Sequence, residues 1–373
     1  MGRTRNSISA ILIALFFFSM CLLAFPEVKA QGIRDRAMHE RQLKKTFDYA
    51  WKILEKKNYE EAKGYFENLV KRRYGPAFYV IGQYYQEGYL GEKNLDEAFK
   101  FYMEGAKLGS VHCQVAVGTY YENGWSVEQD YSQAVHWYKK GARKFNRVAQ
   151  MRLGSLYLNG WGVERDYGEA MRLYRRAAIQ RNPEAAFNIG FMYFKGMGVE
   201  KDYVQSMEWF NEAIEYGDLK ARHYLAEMHE RGLGVPVDLK LALKWYNSAA
   251  DEGYIPSLLK LGDMYYQGES VARDYEIAFQ YYRNAAYRKD LIGMLRVGEM
   301  LELGHGVQQN FVNAAAWYKL ASDGDYEDAQ YKLALLLIEG KGVAKDKKRG
   351  LFLMRKAAEK DFEPAIEYLK SKK

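Results

Sequence analysis

The stretch "LGSLYLNGWGVERDYGEAMRLYRRAA", Leu153 to Ala178, keeps apolar residues at helical spacing on both sides of two glycines, Gly160 and Gly162. One continuous helix would not tolerate that pair. The spacing instead predicts a helical hairpin. A first helix, A, ends near Gly160, where glycine closes a helix end in the left-handed conformation at no steric cost. Gly162 tightens the loop and Val163 pins it. Asp166 then caps a second helix, B, with Glu169 three residues on, a capping-box pattern whose loss would cost about 1 kcal/mol.

The pattern repeats. The glycine after the apolar residue recurs every 36 residues without insertion, at Gly82, Gly118, Gly154, Gly190, Ala226, Gly262, Gly298 and Ala334. Six residues later stands glycine in all eight copies, from Gly88 to Gly340. Twelve after the first column come Asn94, Asp130, Asp166, Asp202, Asp238, Asp274, Asn310 and Asp346, and sixteen after it comes a small residue such as Ala134, Ala170 or Ala242. Gly154 inside a helix costs about 1 kcal/mol relative to Ala. With Ala170 opposite, it predicts a close crossing of A and B, while bulky pairs such as Leu173-Tyr174 pack on the next unit. Pro76, Pro183, Pro256 and Pro364 fall in the first turn of A helices, where a missing N–H does no harm. One unit cannot bury both faces, so stability comes from stacking neighbours.

These columns divide the 373 residues. Residues 31–75 read as an N-terminal helical hairpin without the Gly-x-Gly loop, residues 76–361 as eight 36-residue units, and residues 362–373 as a C-terminal capping helix. Residues 1–30 read as a secretory signal: basic Arg3 and Arg5, an uncharged apolar run from Ile8 to Phe25, then Val28 and Ala30 before a cut. The run is 18 residues long, so an uncleaved anchor is the alternative, and a lipid site at Cys21 is opposed by the bulk of Met20. No later segment is apolar enough to cross a membrane. Cleavage would leave a formal charge of +5 and one cysteine, Cys113. The chain also lacks any Asn-x-Ser/Thr acceptor, which points towards a bacterial exported protein without disulfides.

The columns of Leu153–Ala178 resemble the Sel-one-like repeat family, relatives of the tetratricopeptide repeats, from about Pro76 to the C-terminus. The resemblance implies an all-α fold, an α-solenoid of antiparallel helix pairs in a right-handed superhelix, with A helices lining a concave groove. It implies scaffold or adaptor work on a protein or peptide partner, not catalysis. Exported members are associated with host-cell interaction and with regulation of envelope signalling. Cysteine-rich relatives are linked to β-lactam binding, but this chain lacks their cysteines.

No constellation for chemistry stands out. The six histidines are scattered; His223, Glu227 and Glu230 share a helix face, but His229 occupies a column of packing tyrosines. Every Gly-x-Gly joins helix to helix, which excludes a nucleotide loop. The net charge of +7 is modest and unclustered in the motifs, so no nucleic-acid face, cofactor or metal is expected. By analogy with tetratricopeptide grooves, the third position before the A-helix glycine and the first and fourth after it face the concave side. Met151, Leu158, Phe187, Phe191 and Phe194 would then form an apolar patch, followed by an acidic strip of Glu227, Glu230, Asp263, Glu299 and Glu302. The alternative is that neighbouring units cover the phenylalanines and that Lys260–Asp263 and Arg296–Glu299 are surface pairs. The expectation is an exported, non-enzymatic scaffold, periplasmic or secreted, without stable membrane insertion once the signal is gone. A periplasmic regulator of an envelope sensor and an envelope hydrolase are the rivals.

Overall fold

The computed structural model describes residues 34–372, and the signal segment lies outside the described residues. Helix α1 covers residues 34–55 and pairs in sequence with α2 (Tyr59–Lys71). Eight hairpins follow. Their A helices are α3 (Gly75–Glu87), α5 (Val111–Asn123), α7 (Arg147–Asn159), α9 (Pro183–Lys195), α11 (Leu219–Arg231), α13 (Ile255–Gln267), α15 (Leu291–Leu303) and α17 (Glu327–Glu339). Their B helices are α4 (Leu95–Lys107), α6 (Tyr131–Arg143), α8 (Tyr167–Ala178), α10 (Tyr203–Glu215), α12 (Leu239–Asp251), α14 (Tyr275–Tyr287), α16 (Phe311–Asp323) and α18 (Lys347–Ala358). A final helix, α19 (Glu363–Ser371), packs on α18. No strand occurs among the described residues, which form two compact units, one up to Leu173 and one from Tyr174; consecutive helices pack together inside them, α3 on α4 and α5 on α6 in the first, α9 on α10 and α17 on α18 in the second. The all-α stack of helix pairs is therefore observed directly.

The loop chemistry is as the columns require. The eight glycines from Gly88 to Gly340 all close A helices at positive φ, between 68° and 76°. The Asn/Asp column caps every B helix by accepting a backbone N–H, as Asp202 does from Gln205 and Asp274 from Ile277. The other half of the capping box is absent. The N–H of each cap residue goes to an A-helix carbonyl nine residues earlier: Asn94 to Tyr85, Asp238 to His229, Asn310 to Leu301. This bond ties the start of B to the end of A. The second loop glycine does more than tighten the turn. A Cβ on Gly306 would lie 2.4 Å from the Tyr275 carbonyl carbon, and one on Gly342 2.3 Å from that of Phe311, so these glycines let the loop touch the preceding B helix.

One packing expectation is corrected. In most repeats the A-helix glycine faces a ring of the B helix rather than its small residue, although Gly190 also lies against the Ser206 carbonyl and, from the B helix, Gly350 against that of Ala334. A Cβ on Gly82, Gly118, Gly262 or Gly298 would strike the ring of Tyr102, Tyr138, Tyr282 or Tyr318, and on Gly190 that of Phe210. At Gly82, Gly118, Gly262 and Gly298 it is the ring that requires the glycine. These aromatics face the A helix of their own repeat and are at most 2% exposed.

Candidate functional site

The buried B-helix tyrosines carry hydroxyls that must be satisfied. Tyr138 donates to Glu122, Tyr246 to Glu230 at 2.9 Å, and Tyr318 to Glu302 at 2.6 Å. Tyr102 donates to Gln86 at 3.1 Å. All four acceptors stand four residues after the small A-helix column, Gly82, Gly118, Ala226 and Gly298. Where that position is Tyr266, the acceptor moves to Asp263, 2.6 Å from the Tyr282 hydroxyl. Where the B residue is Phe210, the A residue is Phe194, with ring centroids 6.2 Å apart. Burial, reinforced by carboxylate neighbours, raises the hydroxyl pKa of Tyr138, Tyr246, Tyr282 and Tyr318 far above the ordinary tyrosine range, so they remain donors.

This pairing changes the reading of the expected groove residues. The acidic residues are half-buried and engaged: Glu230 also meets Lys260 at 2.8 Å, Glu227 pairs with Arg231, and Glu299 lies between Arg296 at 2.9 Å and Lys332 at 3.6 Å. Three of the five are paired with cations, and the other two, Asp263 and Glu302, accept from the Tyr282 and Tyr318 hydroxyls. The apolar patch is corrected as well. Met151, Phe187 and Phe194 are buried, and Leu158 and Phe191 are half-buried. Phe187, Phe191 and Phe194 all pack on Tyr224 of α11, at 5.4–5.6 Å between ring centroids, so the next A helix covers them. The His223 Nδ1 sits 3.0 Å from the Ser257 hydroxyl, and burial lowers its pKa. Among the described residues no three of His, Cys, Asp and Glu converge on a metal position.

An open surface exists in the same columns of the first two repeats. A cleft of about 240 Å³ runs between α3 and α5 to the start of α7. Tyr79, Gln83, His112, Thr119, Trp125 and Val148 line it, with Gln86 and Asn146. Trp125 is 40% and Val148 38% exposed. The Asn146 side-chain oxygen caps α7 at Ala149, which leaves its amide hydrogens to the cleft. The Gln86 oxygen is occupied by Tyr102 and Tyr120, whose hydroxyl burial pushes up to about 12. No Asp, Glu, Lys or Arg lines the cleft. Its signal in the sequence was the polar, uncharged filling of columns that hold acids in later repeats: Gln83 and Thr119 against Glu227, Asp263 and Glu299.

The repeats and their geometry agree with comparison to known proteins. The Sel1 repeat model matches residues 77–110, 111–144, 147–182, 183–218, 219–254, 255–290, 291–326 and 327–362. The chain belongs to the Sel1 repeat family. Among solved structures it is similar to a protective antigen present in uropathogenic Escherichia coli strains, displaying an SLR fold, at 33% identity and a TM-score of 0.59 over 81% of this chain; the match spans 65% of that protein. It is also similar to a Sel1 repeat protein from Oxalobacter formigenes, at 29% identity and a TM-score of 0.62, covering 64% of this chain and 96% of that one. No curated protein matches. Sel1 repeat scaffolds generally mediate protein–protein interaction and are typically non-catalytic. No described helix is long and apolar enough to cross a membrane.

Proposed function

We propose that the protein is an exported, non-enzymatic scaffold that holds an extended, uncharged peptide segment of a protein partner on its A-helix face, with the α3–α5 cleft as the anchoring site. The observation that carries this reading is the lining of that cleft. Gln83 and Asn146 offer amide groups to a peptide main chain, which presents one donor and one acceptor per residue. Trp125, Tyr79 and Val148 offer an apolar seat for one side chain. The volume falls below the roughly 300–1,000 Å³ of small-molecule sites, which suits a side chain better than an enclosed substrate. In later repeats Glu227, Glu230 and Glu299 are already held by cations and Asp263 and Glu302 by tyrosine hydroxyls, which leaves them less to offer such a partner. Export rests on the signal pattern of residues 1–30, and similarity to a protective antigen supports a role outside the cell or at the host interface.

A library of neutral peptides with one aromatic or aliphatic anchor tests the reading by fluorescence titration. Binders should lose at least tenfold in affinity with Val148→Glu and little with Lys332→Ala on the later A helices. Equal losses, or binders that are uniformly charged, would remove the cleft from the account.

A further inference from the structure

The formal charge of the chain is unevenly placed. Residues 34–75 hold twelve Lys and Arg against seven Asp and Glu, while residues 76–373 hold forty of each. The repeats are neutral and the first hairpin is basic. Within it the bases are ordered. At 3.6 residues per turn, positions 34, 38, 41, 45, 49 and 52 of α1 fall within roughly 80° of arc. They are Arg34, Met38, Arg41, Lys45, Tyr49 and Lys52, all exposed. Positions 43, 47, 50 and 54 fall on the opposite side, and Leu43, Phe47, Ala50 and Leu54 there join the core with Phe66, Leu69 and Ile81. Acidic residues of α1 stand beside this face rather than on it. Asp48 is engaged by Lys44 at 2.9 Å, and none of the ion pairs among the described residues takes Arg41, Lys45 or Lys52.

We infer that this face of α1 docks on an anionic lipid bilayer. Helix α1 is fixed by its core side, so its outer face presents four cations along one line, as a charged plane requires. Met38 is 68% and Tyr49 53% exposed between those cations, and a thioether and a phenol are suited to the headgroup boundary. The sequence places the face near a membrane. The apolar run ends at Phe25 and the described part of α1 begins at residue 34. While that run is engaged by a bilayer, the eight intervening residues hold α1 within about 29 Å of it. The surface is independent of the α3–α5 cleft, which would remain free to bind a partner.

Flotation with vesicles tests this. The core residues of the fold lie within residues 34–372, so the processed chain, residues 31–373, is the folding unit to use. It should bind vesicles of 30% phosphatidylglycerol in phosphatidylcholine, not phosphatidylcholine alone, and should be released by about 0.5 M salt. Arg41→Glu, Lys45→Glu and Lys52→Glu together should lower partitioning at least tenfold. A control with Lys240→Glu, Lys244→Glu and Lys348→Glu, of equal net charge, should bind nearly as the parent does. Met38→Ser with Tyr49→Ser should weaken binding several-fold, with all variants showing the parental circular dichroism. The inference is overturned if the folded parent ignores anionic vesicles, or if both triple variants lose binding equally. It is also overturned if Met38 and Tyr49 do not matter while heparin binds as tightly as vesicles, which would mark a site for a soluble polyanion.

Discussion

The Tyr246 hydroxyl donates to Glu230 at 2.9 Å across the two helices of one repeat, and at the same two places in the preceding repeat stand Phe210 and Phe194. Polar meets polar and ring meets ring. Phe210→Tyr should therefore destabilise by about 1–3 kcal/mol, because its hydroxyl has no acceptor. Phe194→Glu alone should cost more, since it places a carboxylate among Phe187, Phe210 and Tyr224. The double variant should recover a coupling of about 1–3 kcal/mol in a urea-denaturation cycle. Additive losses would show that the pairing is incidental.

The same hydroxyls give a pH dependence. Their folded pKa values lie above that of an unfolded tyrosine, about 10, because of burial first and carboxylate neighbours second. Above pH 10 the unfolded chain loses these protons and the folded chain keeps them, so stability is intact below pH 10 and falls as pH rises. Each tyrosine contributes about 1.4 kcal/mol per pH unit to that fall. Tyr246→Phe should make the slope of unfolding free energy between pH 10 and 11 shallower by about that amount. An unchanged slope would mean that Tyr246 ionises in the folded state.

The hairpins, their glycine closures and their Asn/Asp caps were legible in the sequence because they depend on backbone geometry, which one residue type at one position betrays. The face of each side chain was not. Phe187, Phe191 and Phe194 share one helix face, and periodicity could not reveal that Tyr224 of the next A helix covers it. The acids at Glu230 and Glu302 looked like a surface strip because their partners, Tyr246 and Tyr318, lie sixteen residues away on another helix. Comparing those two columns copy by copy would have exposed the pairing. The α3–α5 cleft was missed for another reason. Its residues are ordinary one by one, and only their lack of charge distinguishes them.

Glycine substitutions separate packing from propensity. Gly118→Ala places a methyl 2.6 Å from the Tyr138 ring and should destabilise by about 1–3 kcal/mol. Ala226 occupies the same column opposite Tyr246, so the pair would spread rather than unfold. Gly64→Ala in α2 meets nothing within 4 Å and should be neutral or stabilise by about 0.4–1 kcal/mol. Thermal melts that rank the two in the opposite order would contradict the ring-pocket reading.

Stacked repeats should tolerate loss of a whole unit. Deleting Gly190 through Leu225, 36 residues in phase, joins equivalent positions of two A helices and should leave a cooperative, helical protein. Deleting 18 residues from Gly190 should not. Equal loss of helical circular dichroism in both would count against repeat modularity.

In the proposed function a partner's peptide lies on the A-helix face at the α3–α5 cleft. Photo-crosslinking tests it most directly, with benzoylphenylalanine placed in turn at Gln83, at Val148 and at Lys100 of α4 in the producing cell. One and the same partner protein should be joined at Gln83 and Val148 through a single uncharged segment, with no adduct at Lys100. Adducts formed at Lys100 and absent from both cleft positions would contradict it.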